Sequence, residues 1–257
     1  MWKHGFIVRE VHLVVTDSVL ASSFYALLLN TKPVIVDGGS YFNIEGSRFL
    51  VREDPQALRL PPGSSGLYHV AFVVDSLEGL SEVFRRILEY KLPLLGASDH
   101  GCTLALYTLD PDYNGVEIYW DKPGPSCKLR TKALDLEALS TVKVNKSYRA
   151  SIGHVHLKVA SLSLAEEFYS GTLKMRVRER GYPGALFFAY GDYHHHIGAN
   201  VWETAWGVRG ARWRPGYVGL EKLVLNPPPD VDVDEGSYDD PVGHKVVVSR
   251  GGGPGGI

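Results

Sequence analysis

Two histidines and a glutamate are the residues in this chain whose types and setting suggest metal chemistry. His69 sits in GLYHVAFVV and His154 in SIGHVHLKV, two apolar runs of strand length. Glu117 lies in NGVEIYW, a third such run. Imidazole and carboxylate are hard-to-borderline donors, and two imidazoles with one carboxylate form the usual protein environment of non-haem Fe(II), with coordination positions left open. A lone histidine in an apolar strand is more often a hydrogen-bonded core residue. Only the joint placement of the three raises a metal reading above that ordinary one.

That placement depends on internal repetition. Four segments share an opening strand, and the first three follow it with a helix and further β-rich pieces. The first runs REVHLVVTDSVLASSFYALLLN, with helical spacing of Leu20, Phe24, Leu27 and Leu28. Its strands are predicted over 33–36, 41–44 and 48–51. The second occupies 66–121, with an amphipathic helix in LEGLSEVFRRILEYKL and strands over 104–107 and 116–120. DPDYNG supplies the reversal between those two strands. The third opens with SIGHVHLKVASLSLAEEFYSGTL and continues through strands at 175–180, 185–189 and 194–201. The fourth is cut short: GLEKLVLN and DDPVGHKVVVS bracket PPPDVDVDEG, whose prolines and clustered acids cannot carry the helix. The organisation predicted is a pair of units over 1–122, a linker over 123–150 and a second pair over 151–250 with its last unit abbreviated. A flexible glycine-rich tail follows over 251–257. Aligned opening strands place Glu10, His69, His154 and Lys222 in one column, and closing strands pair Glu117 with Val247. Only units two and three keep metal-competent residues there. Side chains alternate between the faces of a strand, so a shared column implies a shared direction.

The segments GLYH, ASDHG, LYTLDPDYNGVEIYW, IGHVHLKV and YHHHIGAN resemble the vicinal-oxygen-chelate superfamily, and within it the catechol 2,3-dioxygenase-type extradiol dioxygenases. The resemblance spans nearly the whole chain and is weakest in the fourth unit. It implies an α+β fold of tandem βαβββ modules forming cupped, barrel-like mixed sheets, with the fourth module truncated. It implies Fe(II), with Mn(II) as the alternative, held by His69, His154 and Glu117. It also implies ring opening of a catechol-type diol by O2 to a muconic semialdehyde-type product. By the same resemblance His195 is an acid–base residue beside O2, and Tyr107, ten residues before Glu117, bonds a substrate oxygen. His100 is a further pocket histidine once a small gap is allowed. In this family many two-domain members take their ligands from units three and four, whereas here they come from units two and three.

Several bland readings stand beside these. His12 and His156 read as lining or core residues, Glu10 as a surface carboxylate and His244 as a turn residue. On a strand, His194, His195 and His196 would alternate in direction, so at most two face the site. Phe72, Tyr119, Trp120 and Trp202 offer aromatic surface near it. Two other classes remain: a glyoxalase-like isomerase or lyase on the same scaffold, and a metal-free small-molecule-binding protein.

A formal net charge of −2 gives no support for nucleic-acid binding, and the short basic cluster of Arg209, Arg212 and Arg214 reads as a solvated loop. No apolar run reaches membrane-spanning length. Two cysteines, Cys102 and Cys127, are too few for a disulfide framework. The expectation is a cytoplasmic protein that acts on a small molecule as a homo-oligomer, without nucleic acid or membrane partners.

Overall fold

The computed structural model describes residues 6–124, 130–144, 147–204 and 211–250. Unit one comprises β1 (Val8–Val15), α1 (Ser18–Leu29), β2 (Val34–Val36), β3 (Gly39–Ile44) and β4 (Ser47–Glu53). Unit two comprises β5 (Gly66–Val74), α2 (Leu77–Glu89), β6 (Gly96–Asp99), β7 (Thr103–Leu109) and β8 (Gly115–Asp121). A short β9 (Lys132–Ala133) and α3 (Leu136–Ser140) follow in the linker. Unit three has β10 (Ala150–Lys158), α4 (Leu162–Glu166) running into a π-helical turn (Glu167–Thr172), β11 (Arg176–Glu179), β12 (Ala185–Ala189) and β13 (Ile197–Asn200). Unit four keeps only β14 (Gly219–Leu225), β15 (Gly236–Asp239) and β16 (Lys245–Val248). Among the described residues no helix separates β14 from β15, as its prolines required.

Each helix begins at a residue whose side chain accepts a hydrogen bond from the first turn. Asp17, Ser76, Asp135 and Ser161 do so for α1, α2, α3 and α4. Such caps satisfy donors that the helix itself leaves unpaired. α1 buries Phe24, Tyr25, Leu28 and Leu29, and α2 buries Leu80, Val83, Phe84 and Ile87. No helix among the described residues is long and apolar enough to cross a membrane.

The strands form two sheets, ordered β15-β16-β14-β1-β4-β3-β2 and β11-β12-β13-β10-β5-β8-β7-β6-β9. Unit one therefore shares a sheet with unit four, and unit two with unit three. In each sheet the two opening strands lie antiparallel at the centre, β1 on β14 and β5 on β10. The closing strands flank them in parallel. Unit one thus finds its partner within the chain, and the shortened unit four supplies it without a helix.

Alternation along β5 divides two environments. Phe72 points into the large core, where its ring meets Phe49 at 5.1 Å and Tyr25 at 6.1 Å between centroids. Ala71 and Val73 point the other way and form a small cluster with Ala105 and Tyr119, with Tyr107 packed against it. Phe72 and Trp120 consequently belong to the main core or pack on it, not to the site side where the sequence reading placed them.

Candidate metal centre

The register of the second sheet assembles the site. His154 on β10 stands opposite Ala71 on β5, which in turn pairs with Glu117 on β8. Ala71 carries only a methyl group, so the space above it stays open between the two larger side chains. His69 lies two residues earlier on β5 and therefore on the same face. A β-bulge at Gly153 interrupts the β10–β5 ladder just before His154, a device that re-aims side chains next to functional sites. The bulge needs glycine: a Cβ there would lie 1.8 Å from the Tyr119 hydroxyl.

His69 Nε2 lies 2.9 Å from Glu117 Oε2, His154 Nε2 lies 3.3 Å from the same oxygen, and the two Nε2 atoms are 3.3 Å apart. Donors at right angles around a first-row divalent ion at about 2.1 Å stand about 3 Å from one another. The three atoms match that triangle, and all three residues are buried. Electrostatics suits a cation as well. Burial alone would raise the Glu117 carboxyl, yet its two histidine neighbours outweigh that and hold it well below the usual carboxylate range. Burial pushes the His154 imidazole down to about 4. Near neutral pH the site therefore offers an ionised carboxylate and a neutral His154, the protonation states metal binding requires. His154 Nδ1 has no hydrogen-bond partner among the described residues. Ring packing sets its plane instead, against His195 at 4.1 Å and Tyr119 at 5.2 Å between centroids.

Around the triangle stand the other sequence candidates. Tyr107 pairs with Glu117 across β7 and β8, and its ring is 5.8 Å from that of His69. Burial and the Glu117 charge raise its hydroxyl well above the ordinary tyrosine value, so it remains a proton donor. His100 sits beyond the end of β6, and its Nε2 lies 2.8 Å from the Tyr107 hydroxyl. Its Nδ1 lies 3.1 Å from Thr131 Oγ1, which is 2.9 Å from the Tyr182 hydroxyl. These contacts form a continuous Tyr107–His100–Thr131–Tyr182 chain. His195 is buried on the opposite flank, over the ring of His154.

Some sequence expectations change. The histidine triplet is not on a strand, because β13 begins only at Ile197. In the preceding loop His194 and His195 turn together, with their Nδ1 atoms 2.8 Å apart. Both line the cavity, and strand alternation has no bearing on them. His194 Nε2 lies 3.3 Å from Asp121 Oδ1. Neither Asp121 nor Thr131 was signalled by the sequence, since each acts across a long separation from an unremarkable position. Glu10 is not an isolated surface carboxylate: it is half-buried, 2.8 Å from His12 Nε2 and 3.8 Å from Arg48. His244 follows the turn as expected, but it is fully buried against Asp240. Cys102 is disulfide-bonded, which the cysteine count did not anticipate. Cys127, Arg209 and the tail at 251–257 lie outside the described residues.

A cavity of about 630 Å³ opens over the triangle. Its wall is aromatic, formed by Tyr68, Phe187 and Trp202 with His156 among them. Trp202 is fixed by an Nε1–H bond to the Pro183 carbonyl at 2.8 Å.

Comparison with known proteins bears on this arrangement. No family model matches the chain. It is similar to catechol-2,3-dioxygenase of Bacillus subtilis (strain 168), 36% identical over 176 residues covering 62% of this chain and 61% of that protein. It is also similar to biphenyl-2,3-diol 1,2-dioxygenase 2 of Rhodococcus globerulus, 34% identical over 85 residues covering 31% and 43% of the respective chains. The match therefore spans less than two thirds of either relative. Among solved structures, glyoxalase I from Zea mays superimposes with a TM-score of 0.60 over 94% of this chain and 91% of that chain, at 13% identity. The fold is that of the vicinal-oxygen-chelate proteins, and the relatives named by sequence are dioxygenases.

Proposed function

From the vicinal-oxygen-chelate fold as premise, we propose that the chain is an extradiol dioxygenase. Its metal ion would be Fe(II), with Mn(II) as the alternative, held by His69, His154 and Glu117. The substrate is a catechol-type diol, opened beside its hydroxyls by O2 to a muconic semialdehyde-type product. The observation that carries this reading is the buried triangle of two imidazoles and one carboxylate, a donor set that leaves coordination positions open. When bound, the metal would supply the sites where diol and O2 meet and the electron transfer between them.

The chain's own residues do the rest. Tyr107 stands beside Glu117, its hydroxyl hydrogen-bonded to His100, placed to bond a diol oxygen and to exchange a proton through His100. His195 covers the other flank of the triangle, where an acid–base group is needed next to O2. Burial, reinforced by the neighbouring histidines, lowers its imidazole well below the ordinary value. It therefore enters the reaction neutral, the form that a proton acceptor must have. Aromatic walls exclude bulk water, which strengthens each of these contacts.

A glyoxalase-like reading calls for a further carboxylate from unit three. The position on β13 that corresponds to Glu117 is Gly198, which pairs with His156 as Glu117 pairs with Ala71. Gly198 supplies no donor, so the dioxygenase reading is preferred.

The test is reconstitution with Fe(II) under nitrogen, followed by O2 uptake and absorbance with a panel of catechols. One O2 consumed per diol with a coloured ring-opened product is the expected result. Stoichiometric metal with no O2 uptake on any catechol would reject dioxygenase activity, and failure to bind metal would favour a metal-free binding protein.

A further inference from the structure

His156 is not used by the chemistry above, yet its setting is costly. It is 4% exposed, and its Nε2 has no hydrogen-bond partner among the described residues. A buried polar atom left in this state is destabilising, and native proteins keep few of them. The ring stands directly opposite His69 in the β5–β10 register, 5.0 Å away between centroids, and lines the cavity. It does not belong to the converging donor set of His69, Glu117 and His154.

Room for the ring is made by Gly198, where a Cβ would come within 2.8 Å of the imidazole. The chain thus gives up a side chain at the position equivalent to Glu117 to seat His156 against the cavity. Around it stand Tyr68, Phe187 and Trp202, with ring centroids at 5.3, 5.6 and 5.5 Å. These surfaces take a flat apolar body, and His156 is the polar group set among them.

The permanent cations of the cavity lining, Lys158 and Arg59, already have partners within that lining. Lys158 pairs with Glu203 at 3.0 Å, and Arg59 lies over the Tyr113 ring at 3.7 Å. A carboxylate entering beside His156 would be desolvated unless it drew Lys158 away from Glu203, so an uncharged group is the cheaper occupant. The cavity volume of about 630 Å³ is also several times the roughly 150 Å³ that accommodates a benzene ring. Space is therefore left for a ring substituent.

We propose that His156 is a specificity-determining residue that hydrogen-bonds an uncharged polar substituent, such as a carbonyl, on the ring of an aromatic diol. This rests on the dioxygenase reading and extends it to the substrate class.

The experiment measures anaerobic binding to the Fe(II)-loaded full chain by calorimetry, with catechol, 2,3-dihydroxybenzamide and 2,3-dihydroxybenzoate as probes. The benzamide is expected to bind about tenfold more tightly than catechol, the margin of one good hydrogen bond, and more tightly than the benzoate. His156→Leu should erase the margin and His156→Asn should keep most of it. Both variants should retain metal stoichiometry. Metal-free His156→Leu should melt at the wild-type temperature or about 2 °C above it, because an unpaired polar group has been replaced by an apolar one. The proposal is overturned by an unchanged margin in His156→Leu, by loss of metal, by a melting point lowered by several degrees or by preference for the benzoate. If none of the three diols binds the metal-loaded protein, the dioxygenase reading falls and takes this inference with it. Diol binding without the margin removes the inference alone.

Discussion

Each residue of the triangle is expected to behave differently from the proton-handling residues around it. Replacing His69 or Glu117 by alanine removes one of three donors, and the remaining two cannot close a face around an ion. Metal content after dialysis should fall from one per chain to near zero, and O2 uptake should vanish with it. Tyr107→Phe leaves every donor in place and deletes only the hydroxyl that meets His100 at 2.8 Å. Its metal content should match wild type while kcat drops about 100-fold, the scale of a lost general acid–base group. A Tyr107→Phe protein that has lost its metal would show that the hydroxyl acts by holding Glu117 in place. The three candidate donors stood out in the sequence because an imidazole or carboxylate recurring in register on apolar strands is uncommon. Asp121 and Thr131 were not, because their roles come from partners far away in the chain, His194 for one and His100 with Tyr182 for the other.

At the scale of elements, the turn between β7 and β8 sets where Glu117 begins. Its Asp110 carboxylate accepts from the backbone of Asp112 and Asn114, from the Asn114 side chain and from the Tyr25 hydroxyl of α1. Unit four repeats the device, with Asp240 accepting from Tyr169, Val242 and His244. Burial outweighs the hydrogen bonds at Asp110 and raises its carboxyl from 3.8 to about 6. The folded chain then holds a proton that the unfolded chain has released. The contribution of this group is complete below pH 3.8 and is lost as the pH rises through 6, about 3 kcal/mol in all. Stability of the wild type relative to Asp110→Asn, from urea titrations, should therefore decline from pH 4 to pH 7 and level off above. A flat difference would mean that Asp110 ionises normally. The turn itself was readable from DPDYNG, but the proton affinity of its first residue depends on α1 closing over it.

For the molecule as a whole, the pairing of units decides whether a site exists. Units two and three share one sheet through β5 and β10 of the same chain, so His69, Glu117 and His154 meet without a second copy. His69→Ala and His154→Ala proteins, mixed and allowed to exchange, should not regenerate metal binding or O2 uptake. Recovery of a substantial fraction of activity would show that the sheet can instead be completed between chains. Units one and four form the corresponding sheet, where the same column holds Glu10 and Lys222. That pair holds no imidazole, and Glu10 is engaged by His12 and Arg48 instead.

The sequence by itself indicated four strand-led repeats, a fourth without its helix, and His69, His154 and Glu117 as candidate donors. Periodicity, proline and the aligned columns are local properties that survive without a fold. Only the tertiary structure decided which units share a sheet, because strand pairing is settled by distant backbone partners and not by the strand's own residues. The same holds for His156. Along the chain it is one more histidine on an apolar strand, and its unsatisfied nitrogen appears only when β13 lays a glycine beside it.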